Sequence, residues 1–223
     1  MNAQQLTEQQ KFEEMKKTLY AAVICDTLDE LGYRNQAMRE NINPINNDWV
    51  LVGRAKTVLA VDVYHVTDNP YSKEIEAIDS VKPGEVLIGC TNESIRNGLW
   101  GELLSTASKM RGAHGAVVDG LIRDTKKILE LDFPVFATGT KPVDSRGRGM
   151  VIDYDCQVQC GGVNVMPGDI IFGDRDGVVV IPQQLFDEVY DMAMNKATRE
   201  NASRMELLDG KFLRDVYDKY GVL

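Results

Sequence analysis

The sequence predicts an α/β fold, because strand-like and helix-like segments alternate through its middle. A buried-strand pattern at 86–90 (VLIGC) precedes a helical stretch between two glycines at 101–112 and a strand pattern at 113–120 (AHGAVVDG). A short helical pattern at 125–132 and the strand-like FPVFATG at 133–139 come next. Strands separated by helices favour parallel pairing through crossover connections.

Both ends of the chain are predicted to be helical. Apolar residues keep helical spacing over 8–32, which predicts one helix in an N-terminal segment of about 1–32. The segment 149–182 consists of strand patterns broken by the turn sequences GG, PGD and DRDG, as in β-hairpins. Helical patterns return over about 183–223. We expect a single domain over 1–223.

Composition and charge restrict the possible partners. The chain has 223 residues, 43% of them hydrophobic and 26% charged, which is ordinary for a soluble globular protein. Its net charge of −9 disfavours a nucleic-acid partner, because phosphate binding needs a basic face. The apolar runs are too short to span a membrane, and the polar N-terminus has no signal-peptide core. We therefore expect a cytoplasmic protein.

The cysteines and histidines do not by themselves predict a site. Cys156 and Cys160 are close in sequence, but a tetrahedral zinc site needs a second pair or histidines, and neither follows. Reduced, packed thiols are the better interpretation for all four cysteines, which include Cys25 and Cys90. His114 lies beside the glycine-bounded helix, and a lone histidine is more often structural.

Two charged segments lie near the middle of the chain, one with Glu102 and the other with Arg123 and Asp124. There are 20 residues between Glu102 and Arg123. Gly101 precedes a predicted helix start, where unpaired amides and a positive dipole favour an anion. Arg123 can bind a carboxylate in bidentate fashion. Asp124 is a hard oxygen ligand that suits Mg²⁺ or Mn²⁺. These residues are candidates for one site.

Structural interpretations of the same residues remain open at this point. Glu102 in a first helical turn is favourable helix chemistry without any function. Asp124 is suited to cap the next helix, and Arg123 to pair with a surface acid. The glycine-bounded helix is expected to bury one apolar face, made of Leu103, Leu104, Ala107 and Met110.

Five longer stretches carry a resemblance to a known family: WGELL (100–104), GAHGAVVDGLIRD (112–124), FPVFATG (133–139), GGVNVMPGDIIFGDRDGVVVIP (161–182) and RENASRMELLDGKFLRDVYDKYGVL (199–223). They resemble the RraA-like family, which includes the 4-hydroxy-4-methyl-2-oxoglutarate/4-carboxy-4-hydroxy-2-oxoadipate aldolases and proteins once mislabelled as demethylmenaquinone methyltransferases. The resemblance covers nearly the whole chain, and it implies a swivelling β/β/α three-layer domain with helical extensions at both ends. It also implies a homotrimer or a dimer of trimers, with active sites between subunits.

The resemblance also implies roles for the candidate residues. Asp124 would bind the divalent metal directly, and Glu102, which stands where the aldolases have aspartate, would hold metal-bound water. Glu200 from the neighbouring subunit would approach the same water. Arg123 and the helix start would bind the pyruvyl part of the substrate. The residues of that helix start are Gly101, Leu103 and Leu104.

The implied activity is that of a class II aldolase or lyase, which depends on Mg²⁺ or Mn²⁺. It would cleave a 4-hydroxy-2-oxo acid to pyruvate and a second carbonyl compound, with oxaloacetate decarboxylation as a side activity. The chain has no obvious Schiff-base lysine motif, so a metal would stabilise the enolate as a Lewis acid. The alternative is a non-catalytic regulator that binds a ribonuclease, as the family's namesake does. A methyltransferase is disfavoured, because the glycines of GAHGAVVDG flank a strand rather than open a helix.

Overall fold

A nine-stranded mixed sheet is the centre of the computed structural model, which describes residues 6–222. Strands β8 and β9 form a separate two-stranded sheet. The strands of the two sheets are β1 (Asn43–Pro44), β2 (Leu51–Asp62), β3 (Glu85–Cys90), β4 (Gly98–Trp100), β5 (Gly115–Ile122), β6 (Val135–Thr140), β7 (Gly149–Tyr154), β8 (Val158–Cys160), β9 (Val163–Val165), β10 (Ile170–Asp174) and β11 (Gly177–Ile181). The helices are α1 (Glu8–Thr18), α2 (Ala21–Glu30), α3 (Ser72–Asp79), α4 (Glu102–Met110), α5 (Thr125–Leu131), α6 (Phe186–Leu208) and α7 (Leu213–Tyr220).

The order of the strands confirms the predicted α/β class. The main path is β1-β6-β5-β3-β2-β10-β11, with β4 beside β5 and β7 beside β2. Strands β2, β3, β5 and β6 pair in parallel, and helices lie between them in sequence. The predicted hairpins are also present, since β10 pairs with β11 and β8 pairs with β9 in antiparallel fashion. A bridge from Ala37 to Val179 and contacts of β1 with β10 and β11 bring the two ends of the path near each other.

The core lies on both faces of this sheet. Alternate side chains of each strand point to opposite faces, so Ile88 and Ile171 lie in an inner cluster while Leu87 and Phe172 lie under helices. The inner cluster also contains residues of the β8–β9 hairpin, such as Val163. Helices α1, α2 and α6 cover one part of the outer face, and α3 and α5 cover another. The curved sheet thus packs on itself with helices outside.

The N-terminal segment differs from the prediction of one helix over 8–32. It forms α1 and α2, separated at Leu19 and Tyr20, whose backbones are extended. Thr7 starts α1 with a capping box that also uses Gln10, so a local signal begins this helix. The parts of the two predicted terminal segments that fall on residues 1–5 and 223 lie outside the described residues. None of the helices formed by residues 6–222 is long and apolar enough to cross a membrane.

Helix α4 buries only part of the predicted apolar face. Leu103 and Met110 are 76% and 72% exposed, whereas Ser105 is fully buried. The Ser105 hydroxyl accepts a hydrogen bond from Trp100 Nε1 (2.7 Å) and donates one to the Gly101 carbonyl (3.0 Å). A small polar side chain is tolerated in the interior when its hydrogen bonds are made inside the protein. The prediction of one buried apolar face is therefore confirmed for Leu104 and Ala107, which are partly buried against the core, and wrong for the other two residues, which lie at the surface.

Candidate active site

Two short parallel strands bring the two charged segments together. Trp100 of β4 lies beside Ile122 of β5, and the Arg123 amide donates a hydrogen bond to the Trp100 carbonyl (2.8 Å). Because parallel strands end at the same edge of a sheet, the residues that follow β4 and β5 meet there. The sequence analysis missed β4, whose three residues are too few to show a period of two.

The start of α4 faces this edge with unpaired amides. The first intrahelical bond runs from the Ser105 amide to the Gly101 carbonyl (3.1 Å), so the amides of Leu103 and Leu104 precede it. The Glu102 amide instead donates to Asp124 Oδ2 (3.3 Å). A Cβ at Gly101 would lie 2.7 Å from the same oxygen, so only glycine allows this approach. The helix start is therefore available to an anion.

Asp124 has a strained backbone at the beginning of α5. Its φ of 59° and ψ of 26° are left-handed, which for a non-glycine residue costs roughly 1–3 kcal/mol. It occupies the N-cap position of α5, yet its side chain makes no capping hydrogen bond. Among the described residues, the hydrogen bond that its carboxylate accepts comes from Glu102 on the other segment. The Asp124 side chain therefore does not cap α5 but is turned toward α4.

Arg123 lies between two carboxylates. Its Nη2 is 3.2 Å from Asp144 Oδ1, and its Nε is 3.8 Å from Asp124 Oδ2. Within residues 6–222, this Nε is buried and has no hydrogen-bond partner. Buried donors in proteins are almost always paired, so an unpaired one calls for an explanation, and a bound ligand is one. The partner acid, Asp144, is only 34% exposed, so it is not the solvated surface acid of the structural interpretation.

These residues line one pocket of about 320 Å³, which we call the edge pocket. Helix α3 and the loop after β6 supply its other wall. Its lining residues are Tyr71, Glu74, Ile75, Leu99, Gly101, Leu103, Leu104, Arg123, Asp124, Asp144 and Ser145. Five predicted site residues are thus brought together, namely Gly101, Leu103, Leu104, Arg123 and Asp124.

The sequence analysis missed the acids of the other wall, Glu74 and Asp144. Burial alone would raise the pKa of Asp144, but a hydrogen bond from Tyr71 and the charge of Arg123 lower it below its ordinary value. Burial raises the pKa of Glu74 to about 7, and the charge of Asp144 adds to the effect while Arg123 opposes it. A usable signal for Asp144 was its position after β6, a parallel strand that ends at the same edge.

Two predicted site residues lie outside the lining of the edge pocket. Thr106 donates a hydrogen bond to Glu102 Oε1 (2.8 Å). Hydrogen bonding to Glu130 raises the pKa of Lys127, and the charge of Glu102 adds a smaller contribution. Glu200 of α6 lines a separate pocket of about 200 Å³ against α7. The metal-water roles of Glu102 and of a neighbouring Glu200 stay predictions.

The remaining candidate ligands, which are His114 and the four cysteines, make contacts typical of structural residues. His114 Nδ1 lies 2.7 Å from the Val52 carbonyl, and its ring packs edge-on against Phe12. All four cysteines are free, and Cys90 and Cys160 are buried, as predicted for packed thiols. Nowhere in residues 6–222 do three or more His, Cys, Asp or Glu side chains form a group that could hold a metal. A cation at Asp124 would thus rely on water and substrate for its other ligands, as Mg²⁺ commonly does.

The fold and the edge pocket together define an α/β protein of the RraA-like class, with the start of α4 beside an Arg-Asp pair. The family model for RraA-like proteins, described as aldolase/RraA, matches residues 21–180, and the chain belongs to this family.

Several known proteins are similar over most of the chain. A protein of Halalkalibacterium halodurans, named "Putative 4-hydroxy-4-methyl-2-oxoglutarate aldolase", is 31% identical over 193 residues, which are 86% of this chain and 87% of that protein. An uncharacterised protein of Methanocaldococcus jannaschii is 35% identical over 178 residues, 78% of this chain and 82% of that one. The structure of Streptomyces coelicolor RraAS2, described as an unusual member of the RNase ES inhibitor RraA family, superposes with a TM-score of 0.81 at 29% identity and covers 91% of this chain and 100% of that one.

The raised pKa of Glu74 predicts that stability falls as the pH rises toward neutrality. The folded chain keeps the proton up to about pH 7, whereas the ordinary pKa is 4.5. The folded state therefore binds the proton more tightly, and this contribution is complete below the ordinary pKa and lost as the pH passes the raised one. Glu74→Gln should flatten this slope in urea unfolding measured at about pH 5 and about pH 8. Glu130→Gln, at an exposed carboxyl, is the control, and an unchanged slope in Glu74→Gln would contradict the assignment.

Proposed function

We propose that this protein is a divalent-metal-dependent class II aldolase or lyase. It cleaves a 4-hydroxy-2-oxo acid to pyruvate and a second carbonyl compound, and it decarboxylates oxaloacetate as a side activity. The observation that carries the proposal is that Arg123, held at Nη2 by Asp144, lies in one pocket with Asp124 and the start of α4. Membership of the aldolase/RraA family supports it.

Arg123 and α4 bind the 2-oxo acid end of the substrate. The Arg123 side chain lines the pocket and is 35% exposed, and Asp144 already positions its Nη2, so the accessible N–H groups of the guanidinium can donate to a carboxylate oxygen. The amides of Leu103 and Leu104 offer two further donors at the positive end of the helix. The carboxylate and the adjacent keto oxygen of a pyruvyl group match this set of donors.

Asp124 holds the divalent cation, Mg²⁺ or Mn²⁺. Its carboxylate is 47% exposed and accepts one backbone hydrogen bond at Oδ2, which leaves Oδ1 for a metal. Mg²⁺ needs only one or two protein carboxylates when water and substrate supply the rest, so this donor set fits. Bound there, the cation would act as a Lewis acid toward the keto oxygen.

Cleavage removes the proton of the 4-hydroxyl group and breaks the C3–C4 bond. The electron pair passes to the enolate of pyruvate, which then takes a proton at C3. Arg123 places positive charge beside the developing oxyanion, where preorganised charge is most effective. Glu102 orients a water for the proton transfers: Thr106 occupies its Oε1, and we assign Oε2 to the water.

The metal requirement is tested by chelation. Treatment with EDTA should lower pyruvate release from oxaloacetate by at least about 100-fold, because enolate stabilisation by the cation is worth several kcal/mol. Added Mg²⁺ or Mn²⁺ should restore it, and circular dichroism before and after chelation checks that the chain stays folded. Full activity in EDTA would exclude the metal-dependent mechanism.

The role of Arg123 is tested by substitution. Arg123→Ala should lower kcat/KM for pyruvate release by about 100- to 1000-fold, as expected for the loss of a donor to a developing oxyanion. Arg123→Lys should recover little, because lysine lacks the fork geometry for a carboxylate. Arg175→Ala, in the exposed β10–β11 turn, is the matched control and should keep full activity. Full activity in a folded Arg123→Ala protein would refute the assignment.

A second candidate function is the regulation of a ribonuclease by protein contact. It is favoured by the likeness to Streptomyces coelicolor RraAS2, described as belonging to the family of an RNase ES inhibitor. The net charge of −9 is compatible with protein binding that excludes RNA.

A binding measurement separates this candidate from the enzyme. With the host's endoribonuclease immobilised, we expect no capture of the wild-type protein at micromolar concentration. Capture that Arg123→Ala leaves unchanged, in a protein that releases no pyruvate, would favour the regulator.

A further inference from the structure

The edge pocket is acidic beyond the end that binds the 2-oxo acid. Its lining contains three carboxylates, those of Glu74, Asp124 and Asp144, and Arg123 is the one cation among its lining residues. Arg123 is already engaged by Asp144 and directed toward Asp124. Asp124 belongs to the cation site of the proposed function, so two carboxylates, Glu74 and Asp144, face the rest of the substrate.

Other charges nearby do not neutralise this wall. Arg146 lines an adjoining, more open cavity with Tyr71 and Ile75, and its side chain is exposed to solvent. An exposed cation contributes little to binding, because water and salt screen it. Asp144 stays ionised near neutral pH, since the hydrogen bond from Tyr71 and the charge of Arg123 lower its pKa despite burial.

The side chains of the edge pocket determine which groups of a substrate can form hydrogen bonds in it. Carboxylate oxygens accept hydrogen bonds and repel a second carboxylate. A hydroxyl group can donate to them in either protonation state of Glu74. Between the acids, Ile75, Leu103 and Leu104 give the pocket apolar surface that suits a carbon skeleton.

We propose that the edge pocket selects 4-hydroxy-2-oxo acids that carry a single carboxylate and a neutral, hydroxylated distal group, and that Glu74 is the residue that determines this specificity. This inference rests on the proposed function and assigns its substrate class. A diacid substrate would place its second carboxylate against Glu74 and Asp144 with no cation of the lining left to pair with it.

Three substrates differ only in the distal group and share the same chemistry. In each, the 4-hydroxyl proton is removed, the C3–C4 bond breaks, and the pyruvate enolate is protonated at C3. The second product is acetaldehyde from 4-hydroxy-2-oxopentanoate and glycolaldehyde from 4,5-dihydroxy-2-oxopentanoate. It is glyoxylate from 4-hydroxy-2-oxoglutarate.

The test measures kcat/KM for pyruvate release from the three substrates at about pH 8, above the raised pKa of about 7 of Glu74, so that this carboxyl group is ionised. It uses the full chain, added Mg²⁺ and chromatographic detection of pyruvate. We expect the hydroxymethyl substrate to exceed the carboxylate substrate by at least about ten-fold, because like charges are strongly disfavoured in a desolvated site. The methyl substrate should lie between them. Glu74→Gln should reduce this preference by at least about three-fold, and Glu74→Lys should reduce it further by adding a cation.

Glu76→Gln is the matched control, because Glu76 lies on the same helix, is exposed and pairs with Lys73 outside the edge pocket. It should leave the preference unchanged, and thermal melting checks that each variant is folded. Equal or better use of the carboxylate substrate, or an unchanged ratio in Glu74→Gln, would overturn the inference while pyruvate release still upholds the proposed function. No pyruvate from any of the three substrates would overturn both.

Discussion

The hydrogen bond from the Arg123 amide to the Trp100 carbonyl is the contact on which the candidate site depends. It pairs β4 with β5 and so joins the segments of Glu102 and Arg123, which have 20 residues between them in sequence. Gly101 completes the junction, because a side chain there would collide with the Asp124 carboxylate. The Glu102 amide then binds this carboxylate. Without the short strand, the helix start and the Arg-Asp pair would have no shared edge.

The same junction contains two locally unfavourable features that the stable fold around it holds in place. Asp124 has a left-handed backbone, and Arg123 keeps a buried donor without a partner among the described residues. Both features are unfavourable in isolation, and the buried strands and clusters around them supply the stabilisation that holds them. Ser105, fixed between Trp100 and Gly101, ties α4 to β4 at the same point. Unfavourable local geometry is thus concentrated where a ligand would relieve it.

Periodicity and turn signals predicted the α/β class, the parallel crossovers and the hairpins, because these depend on local patterns that repeat over several residues. The break between α1 and α2 at Leu19 and Tyr20 carries no glycine or proline, and the prediction missed it. Five of the predicted site residues line one pocket, but spacing alone could not show which charges face them. Glu74 and Asp144 come from α3 and a loop after β6, so only the tertiary fold brings them to Arg123.

The walls of the edge pocket come from separate parts of the chain. The β4–β5 junction builds the end with Arg123 and Asp124. Glu74 comes from α3, whose buried side chains pack in the core cluster on the outer face of the sheet. Changes at exposed or pocket-facing positions of α3 need not alter the strand pairing or the glycine contact. Under the proposed function, the part of the pocket that binds the shared 2-oxo acid end of a substrate is therefore separate from the part that contacts its variable distal group. In such an arrangement, new substrate preferences can arise by substitution on one short helix while the chemistry is retained.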